Sequence, residues 1–221
     1  MRANPAFFAR DRVLALQQKW DVGWSVSEAS CWLGLYRPDV VGLVKLGVLS
    51  IVEGANEETE TRWVLSRASV EAFFETVANR LELFQGDRRD LASLEDTANF
   101  TTSLGIDRAA LLQGVADGVF PTFKRETDIQ YLGRLCFLEA SLLSLPDLWY
   151  AQRGWVTGNQ FARENGYSPH VVMDWVERDL IQPEMDFGMH KYFVRQHLEQ
   201  LAANVSTPVQ ASRIIFETTD G

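Results

Sequence analysis

The chain of 221 residues repeats one spacing of landmark residues three times. Three glycines, Gly34, Gly105 and Gly166, each precede a second landmark by thirteen residues. The second landmarks are Gly47, Gly118 and Asp179. In every copy, apolar residues lie six and ten positions after the first landmark and again directly after the second. Neighbouring copies are 71 and 61 residues apart, which is the size of a small domain rather than of a solenoid repeat.

A short helix with a start signal is expected before each first landmark. Ser25 and Glu28 have the spacing of a capping box, in which each side chain bonds to the other residue's backbone. Thr157 and Gln160 repeat that spacing in the third copy, and Asp96 takes the same place in the second. The glycine that follows should end the helix, because a helix C-terminus favours a residue with positive φ.

A second helix is expected to start shortly after each first landmark. Asp107 and Ser168 are residue types that cap helices, and Pro169 then falls at the first helical position, where its missing N–H costs nothing. The corresponding segment around Pro38 is less regular. The second landmark ends this helix, and an apolar segment follows. The order helix, glycine turn, helix predicts a helix-turn-helix.

A two-stranded wing and a closing helix are predicted after the second helix. In the first copy, an apolar pair and the returning residues 62–65 alternate as a hairpin does, and Ser66 caps a helix from Val70 to about Leu83. In the third copy, the returning strand is Lys191–Val194 and the helix runs from Leu198 to about Ala203.

The second copy is looser, with a strand predicted at Ile129–Leu132 and a helix at Leu135–Leu145. The predicted fold is mainly α with small β-hairpin wings, arranged as three tandem winged helix-turn-helix domains. We divide the chain into an N-terminal helix (1–21), copy 1 (22–83), a divergent copy 2 (92–145), copy 3 (154–204) and a C-terminal tail (205–221). Three independent domains would be cut by proteases near residues 84–92 and 146–154.

The first copy resembles a known type of winged helix-turn-helix. The segments WSVSEASCWLGLYRPDVVGLVKLGVLSIV and RWVLSRASVEAFF follow the pattern of excisionase and MerR-like modules, with a Ser or Thr cap, an L-G turn and an aromatic strand. Copy 3 matches most of these positions, and copy 2 matches the glycine, the spacing and the GVFP segment. The tandem run also resembles the C-terminal part of TniQ/TnsD-type transposon target-selection proteins, whose zinc-binding N-terminal part has no counterpart here.

The resemblance implies a double-stranded DNA partner, with the second helix of each copy in the major groove and the wing on phosphates. Candidate groove contacts, mapped by the glycine register, are Tyr36, Arg37, Asp39, Arg108, Gln113, Ser168 and His170. Candidate wing contacts are Arg62, Arg67, Lys124, Arg125, Arg134, Lys191 and Arg195. The implied role is site-directed DNA binding, in transposition target selection or transcriptional regulation.

The charge of the chain supports an alternative. With 21 basic and 30 acidic residues the net charge is −9, so DNA binding would need a local basic patch to overcome repulsion from phosphate. The first wing sets one arginine against four acids, Glu53, Glu57, Glu58 and Glu60. The alternative hypothesis is a protein-interaction scaffold whose winged helices no longer contact DNA, with transposition or regulatory proteins as partners.

Other features of the sequence exclude further classes of function and location. The P-loop, GxSxG, HExxH, GxGxxG and CxxC motifs are absent, so no enzymatic activity, cofactor or metal is expected. Cys31 and Cys136, like aromatic residues at helical spacing such as Trp32 and Phe100, are predicted to be core fillers. Apolar runs stay short of 18 residues and the N-terminus is charged, so a cytoplasmic protein without a membrane partner is expected.

Overall fold

The computed structural model describes residues 23–53, 63–125, 130–188 and 190–214, and side chains as far as residue 205. The predicted N-terminal helix and Arg62 lie outside these ranges. The chain divides into two compact units, residues 1–143 and 144–221, so copies 1 and 2 share the first unit. Helices predominate, and each sheet has three or four strands, which confirms the mainly α fold class with small β elements.

Copy 1 combines three helices with a three-stranded sheet. Its elements are β1 (Gly23–Ser25), α1 (Val26–Leu33), α2 (Arg37–Lys45), β2 (Ile51–Glu53), β3 (Val64–Ser66) and α3 (Arg67–Ala78). The strand order is β1-β3-β2, with both pairs antiparallel. The core contains apolar residues of α1, α2 and the central strand β3, and four of them are fully buried: Leu33, Val40, Leu43 and Leu65. Strand β1 was not predicted, because three residues are too few to show an alternating pattern.

Copy 2 takes one strand of its sheet from the last residues of copy 1, where the closing helix, predicted to reach about Leu83, ends at Ala78. Its elements are β4 (Glu82–Leu83), β5 (Leu91–Ser93), α4 (Leu94–Thr102), α5 (Arg108–Ala116), β6 (Phe123–Lys124) and β7 (Cys136–Leu138), with 3-10 turns at Arg88–Asp90, Leu132–Arg134 and Glu139–Ser144. The strand order is β4-β6-β7-β5. Strand β4 pairs in parallel with β6, where the Glu82 backbone N–H donates to the Thr122 carbonyl at 3.1 Å. The last two residues of copy 1 therefore form a strand of the copy 2 sheet.

Two predictions for copy 2 are wrong. The returning strand is Cys136–Leu138, whereas the predicted strand overlaps a 3-10 turn at Leu132. The predicted helix at Leu135–Leu145 is replaced by that strand and a further 3-10 turn. Phe137 pairs with Ala92 of β5 and is fully buried. A short apolar run buried on both sides has no period that distinguishes a strand from a helix.

Copy 3 lies in the second unit. The elements of this unit are α6 (Leu145–Ala151), which precedes copy 3, then β8 (Trp155–Thr157), α7 (Gly158–Glu164), α8 (Val171–Glu177), β9 (Met185–Phe187), β10 (His190–Val194) and α9 (Arg195–Ile214). The strand order is β8-β10-β9, antiparallel throughout, and Phe161, Val172, Phe193 and Leu198 are fully buried. Helix α9 extends beyond the predicted end near Ala203 and includes the first ten residues of the predicted tail.

Both landmark turns have the same geometry in all three copies. The first landmarks have φ of 63°, 74° and 71°, which confirms that a left-handed residue ends the first helix. The next residue in each copy donates its backbone N–H five residues back, as Leu35 does to Ser30 at 3.1 Å and Tyr167 does to Ala162 at 2.8 Å. The second landmarks repeat this pattern, and Asp179, with φ of 56°, is the one non-glycine residue in the left-handed region within the described ranges. These bonds are those of the Schellman motif.

The predicted caps are partly confirmed. Ser25 and Glu28 form the reciprocal capping box, and the Thr157 hydroxyl accepts from the Gln160 backbone N–H at 3.2 Å. Asp96 is not the cap of α4, because its own backbone N–H donates to the hydroxyl of Ser93 at 3.1 Å. Ser93 is the last residue of β5, as the other two caps are the last residues of β1 and β8. The end of the strand, rather than the distance to the glycine, sets the start of the helix.

Candidate nucleic-acid interface

The second helices of copies 1 and 2 pack against each other. A Cβ atom added at Gly42 of α2 would lie 2.6 Å from the Cβ of Ala109 of α5, so the two backbones approach closely. Ala109 and Val41, which precedes Gly42, are buried, at 2% and 6% exposure. Six of the nine residues of α5 are buried: Ala109, Ala110, Leu111, Leu112, Gly114 and Val115. A helix that reads a major groove needs an exposed face, and α5 offers little of one.

Three predicted groove contacts bond to one another at this interface. The Arg108 guanidinium lies 3.6 Å from Asp39 Oδ2 and 3.7 Å from Glu95 Oε2, measured from Nη1 and Nη2. The same guanidinium lies over the Tyr36 ring, 4.8 Å from its centroid. The Tyr36 backbone N–H donates to Asp39 Oδ2 at 3.0 Å. Tyr36, Asp39 and Arg108 thus connect the start of α2 to the start of α5.

Burial governs the electrostatics of this cluster. Asp39 is 8% exposed, and loss of hydration raises the pKa of its carboxyl. The hydrogen bond from Tyr36 and the charge of Arg108 act in the opposite direction. Arg108 Nε and Gln113 Oε1 are buried and, among the described residues, have no hydrogen-bond partner. Gln113, also a predicted groove contact, therefore has its side-chain oxygen inside copy 2.

Arg37, like the 59% exposed Tyr36 that precedes it, stays exposed at the start of α2. It is the first residue of the helix and lines a shallow groove of about 380 Å³ beside Pro38 and Lys45, with Asp107 on the α5 side. Asp107 caps α5, because its carboxylate accepts from the Ala110 backbone N–H at 2.8 Å. The groove has charges of both signs.

Several predicted phosphate contacts are paired with carboxylates. Arg67 Nε lies 2.8 Å from Glu71 Oε1, and Arg195 Nη1 lies 2.8 Å from Glu164 Oε2. Lys191 forms an ion pair with Asp186 on the neighbouring strand. The bonds from Arg195 and Lys191 lower the pKa of Glu164 and Asp186. A cation that is already neutralised gains less from a phosphate.

The remaining wing candidates lie in copy 2. Lys124 is half-buried in β6, and Arg125 is exposed directly after it. Burial raises the pKa of the Cys136 thiol, while the charge and hydrogen bond of Arg125 lower it. Arg134 is exposed, with its guanidinium 5.9 Å from the centroid of the Tyr131 ring.

In copy 3, Ser168 and His170 are exposed in the turn before α8. The prediction that Ser168 caps this helix is wrong, because α8 begins at Val171 with His170 in the cap position. The Ser168 carbonyl accepts from the Val171 backbone N–H at 3.0 Å, which makes the segment a turn. Asp174 and Glu177 are exposed farther along α8, so its outer face carries negative charge.

Comparison with family models, curated proteins and solved structures found no match to this chain. Within the described ranges, no group of three or more His, Cys, Asp or Glu side chains is placed to hold a metal ion. In the same ranges, no helix has both the length and the apolar character needed to cross a bilayer.

Three residues that were predicted to lie in the core are exposed. Trp32 is 38% exposed and Phe100 is 36% exposed, and Cys31 is exposed, whereas Cys136 is buried as predicted. The ion pair between Arg108 and Asp39 was also not predicted from the sequence. Helical spacing indicates which residues share a face, but not whether a neighbouring element covers that face.

Proposed function

We propose that each copy is a winged helix-turn-helix module and that the chain is a non-enzymatic scaffold that binds other proteins. The packing of α2 on α5, close enough to require Gly42 beside Ala109, carries this proposal. In a DNA-reading module the second helix lies in the major groove. Here two of the three such helices cover each other, and proteins can use the module's remaining surfaces instead.

The charges support the same conclusion. The net charge is −9, and the cations that would reach phosphate from the wings of copies 1 and 3 include Arg67, Lys191 and Arg195, each paired with a carboxylate. The outer face of α8 adds Asp174 and Glu177. An acidic surface repels the DNA backbone and attracts basic partners. The expected cytoplasmic location and partners from transposition or transcriptional regulation remain predictions.

The proposal is tested by titrating randomised duplex DNA with the full chain at about 20 mM salt, where phosphate contacts are strongest. A scaffold gives no rise in fluorescence anisotropy and no enriched sequence after selection. Binding that enriches one motif and weakens steeply with added salt would overturn the scaffold.

Site-directed DNA binding is the second candidate, favoured by the exposure of Arg37 at the start of α2 and of His170 at the start of α8. It predicts that Arg37→Ala and His170→Ala weaken DNA binding. Arg89→Ala and His197→Ala are the matched controls, because both residues are exposed outside the second helices. Loss of binding in the first pair alone would support DNA reading by α2 and α8.

A further inference from the structure

An open groove of about 680 Å³ lies on the first unit. It is lined by Trp24, Glu28, Cys31, Trp32, Phe74, Gln130 and Tyr131. The first five come from β1, α1 and α3 of copy 1, and the last two precede the Leu132–Arg134 turn of copy 2. The groove therefore depends on the pairing of copies 1 and 2.

Four aromatic rings dominate the lining. The Trp32 ring centroid lies 5.1 Å from that of Trp24 and 5.0 Å from that of Phe74, at interplanar angles of 47° and 64°. Trp32 is 38% exposed and Tyr131 is 41% exposed. Aromatic side chains contribute much of the binding energy at protein interfaces, so rings held in an open groove favour a binding surface.

The far wall of the groove is fixed by the first landmark turn. A Cβ atom at Gly34 would meet the Cβ of Tyr131 at 2.4 Å, so this tyrosine rests directly on the left-handed glycine. Gly34 thus serves both the helix end and the approach of copy 2. Tyr131 is thereby held in the lining of the groove.

The chemistry of the lining suits a positive charge. Glu28 is the one charged residue among the seven that line the groove, and its carboxylate is fixed by bonds from the backbone N–H and hydroxyl of Ser25. Aromatic faces attract guanidinium and ammonium groups. Two of these rings already do so within the chain, because Arg67 lies 5.3 Å from the Trp24 centroid and Arg134 lies 5.9 Å from that of Tyr131.

We propose that this groove binds a basic segment of a partner protein, with an Arg or Lys side chain against Trp32 and near Glu28. The net charge of −9 attracts such a partner over long range, and the rings and the carboxylate provide the local recognition. This inference rests on the proposed scaffold function, because it names the site and the chemistry of the partner.

The test titrates the full chain into fluorescein-labelled nona-arginine and follows anisotropy. Trp32→Leu removes the aromatic face but keeps an apolar side chain, and we expect it to weaken binding about 5- to 30-fold. Glu28→Gln removes the charge and keeps a side chain that can cap α1, with an expected weakening of about 5-fold. The matched controls are Phe100→Leu and Glu75→Gln, exposed residues outside the groove that should change affinity less than about 2-fold.

A second readout covers the case in which Trp32→Leu does not fold. Cys31 is exposed in the groove, so saturating nona-arginine should slow its alkylation by a small maleimide in the unsubstituted chain. Equal affinities across all variants, with Cys31 unprotected, would overturn the groove as the site. Equal affinity for nona-glutamine would overturn recognition of a cation.

A parallel titration with randomised duplex DNA separates this inference from the scaffold proposal. DNA binding that falls with salt would defeat the scaffold, whatever the peptide does. Absence of DNA binding together with variant-independent peptide binding would leave the scaffold standing and defeat the groove.

Discussion

Arg108 has a structural role that differs from the one its position in a second helix implies. Its guanidinium pairs with Asp39, and these side chains are only 16% and 9% exposed. Removing one partner of a mostly buried pair leaves the other charge without compensation. We expect Arg108→Ala to lower the free energy of unfolding by about 2–4 kcal/mol, measured by urea unfolding followed through tryptophan fluorescence.

Arg89→Ala is the control for that substitution, because Arg89 is exposed and should change stability by less than about 0.5 kcal/mol. A loss in Arg108→Ala no larger than in the control would show that the pair does not stabilise the first unit.

The same pair should make stability depend on pH. Burial raises the pKa of Asp39 above 3.8, so the folded state holds this proton more tightly and stability falls as pH rises through the range just above that value. Arg108→Ala removes the positive charge that lowers the pKa of Asp39, so the pKa rises further. Stability then falls over a range of pH that extends to higher values. The loss of stability should therefore be larger at pH 7 than at pH 4. An equal loss at both values would contradict this, and Asp39→Asn should abolish the difference.

At the scale of elements, the close contact between α2 and α5 depends on the absence of a side chain at Gly42. Gly42→Ala places a Cβ 2.6 Å from that of Ala109, and we expect a net loss of about 1–2 kcal/mol after the gain in helix propensity. Ala109→Gly in that background should recover part of the loss, although alone it destabilises α5. The coupling energy from the double-mutant cycle is the measurement. Additive effects would mean that the helices do not constrain each other.

At the same scale, we expect a substitution at the second landmark of copy 3 to increase stability. Asp179 has φ of 56°, where copies 1 and 2 have glycine, and its carboxylate accepts a bond from Gln182. Asp179→Gly relieves the left-handed strain but loses that bond, so we expect a gain of about 0.5–1 kcal/mol. Hydrogen exchange of the copy 3 amides measures it. Asp174→Gly, inside α8, should instead lose about 1 kcal/mol, and a gain there would show a cause other than the turn.

The repeat itself was predictable because turns impose local rules. The thirteen-residue spacing predicted every left-handed position that ends a first or second helix, including Asp179. The spacing of Ser25 and Glu28 predicted the capping box. The strands of copy 2 were not predictable, since Cys136–Leu138 is too short to show a period. Neither was the Arg108–Asp39 pair, because residues 69 apart along the chain meet only once two copies pack.

At the scale of the whole molecule, strand β4 at the end of copy 1 links the two copies of the first unit, so we expect them to resist proteolysis as one domain. Strand β4 belongs to the copy 2 sheet, so cleavage between copies 1 and 2 would remove a paired strand. We expect limited chymotrypsin digestion to cut first near Leu143, which is 77% exposed at the boundary of the two compact units. Mass spectrometry should then find residues 1–143 in one fragment. Early cleavage at residues 84–92 would instead support three independent domains.

Strand β4 also bears on how such a chain can change over generations. A recombination that transferred residues 92–145 alone would carry a sheet without its outer strand and an α5 helix without the surface that buries it. A transferred segment that keeps this sheet and the α2–α5 contact must therefore include copies 1 and 2 together. The strands of copy 3 all come from its own segment, so its sheet would stay complete if that segment were transferred alone. Strand pairing therefore groups copies 1 and 2 together and leaves copy 3 separate, although the sequence repeats the motif three times.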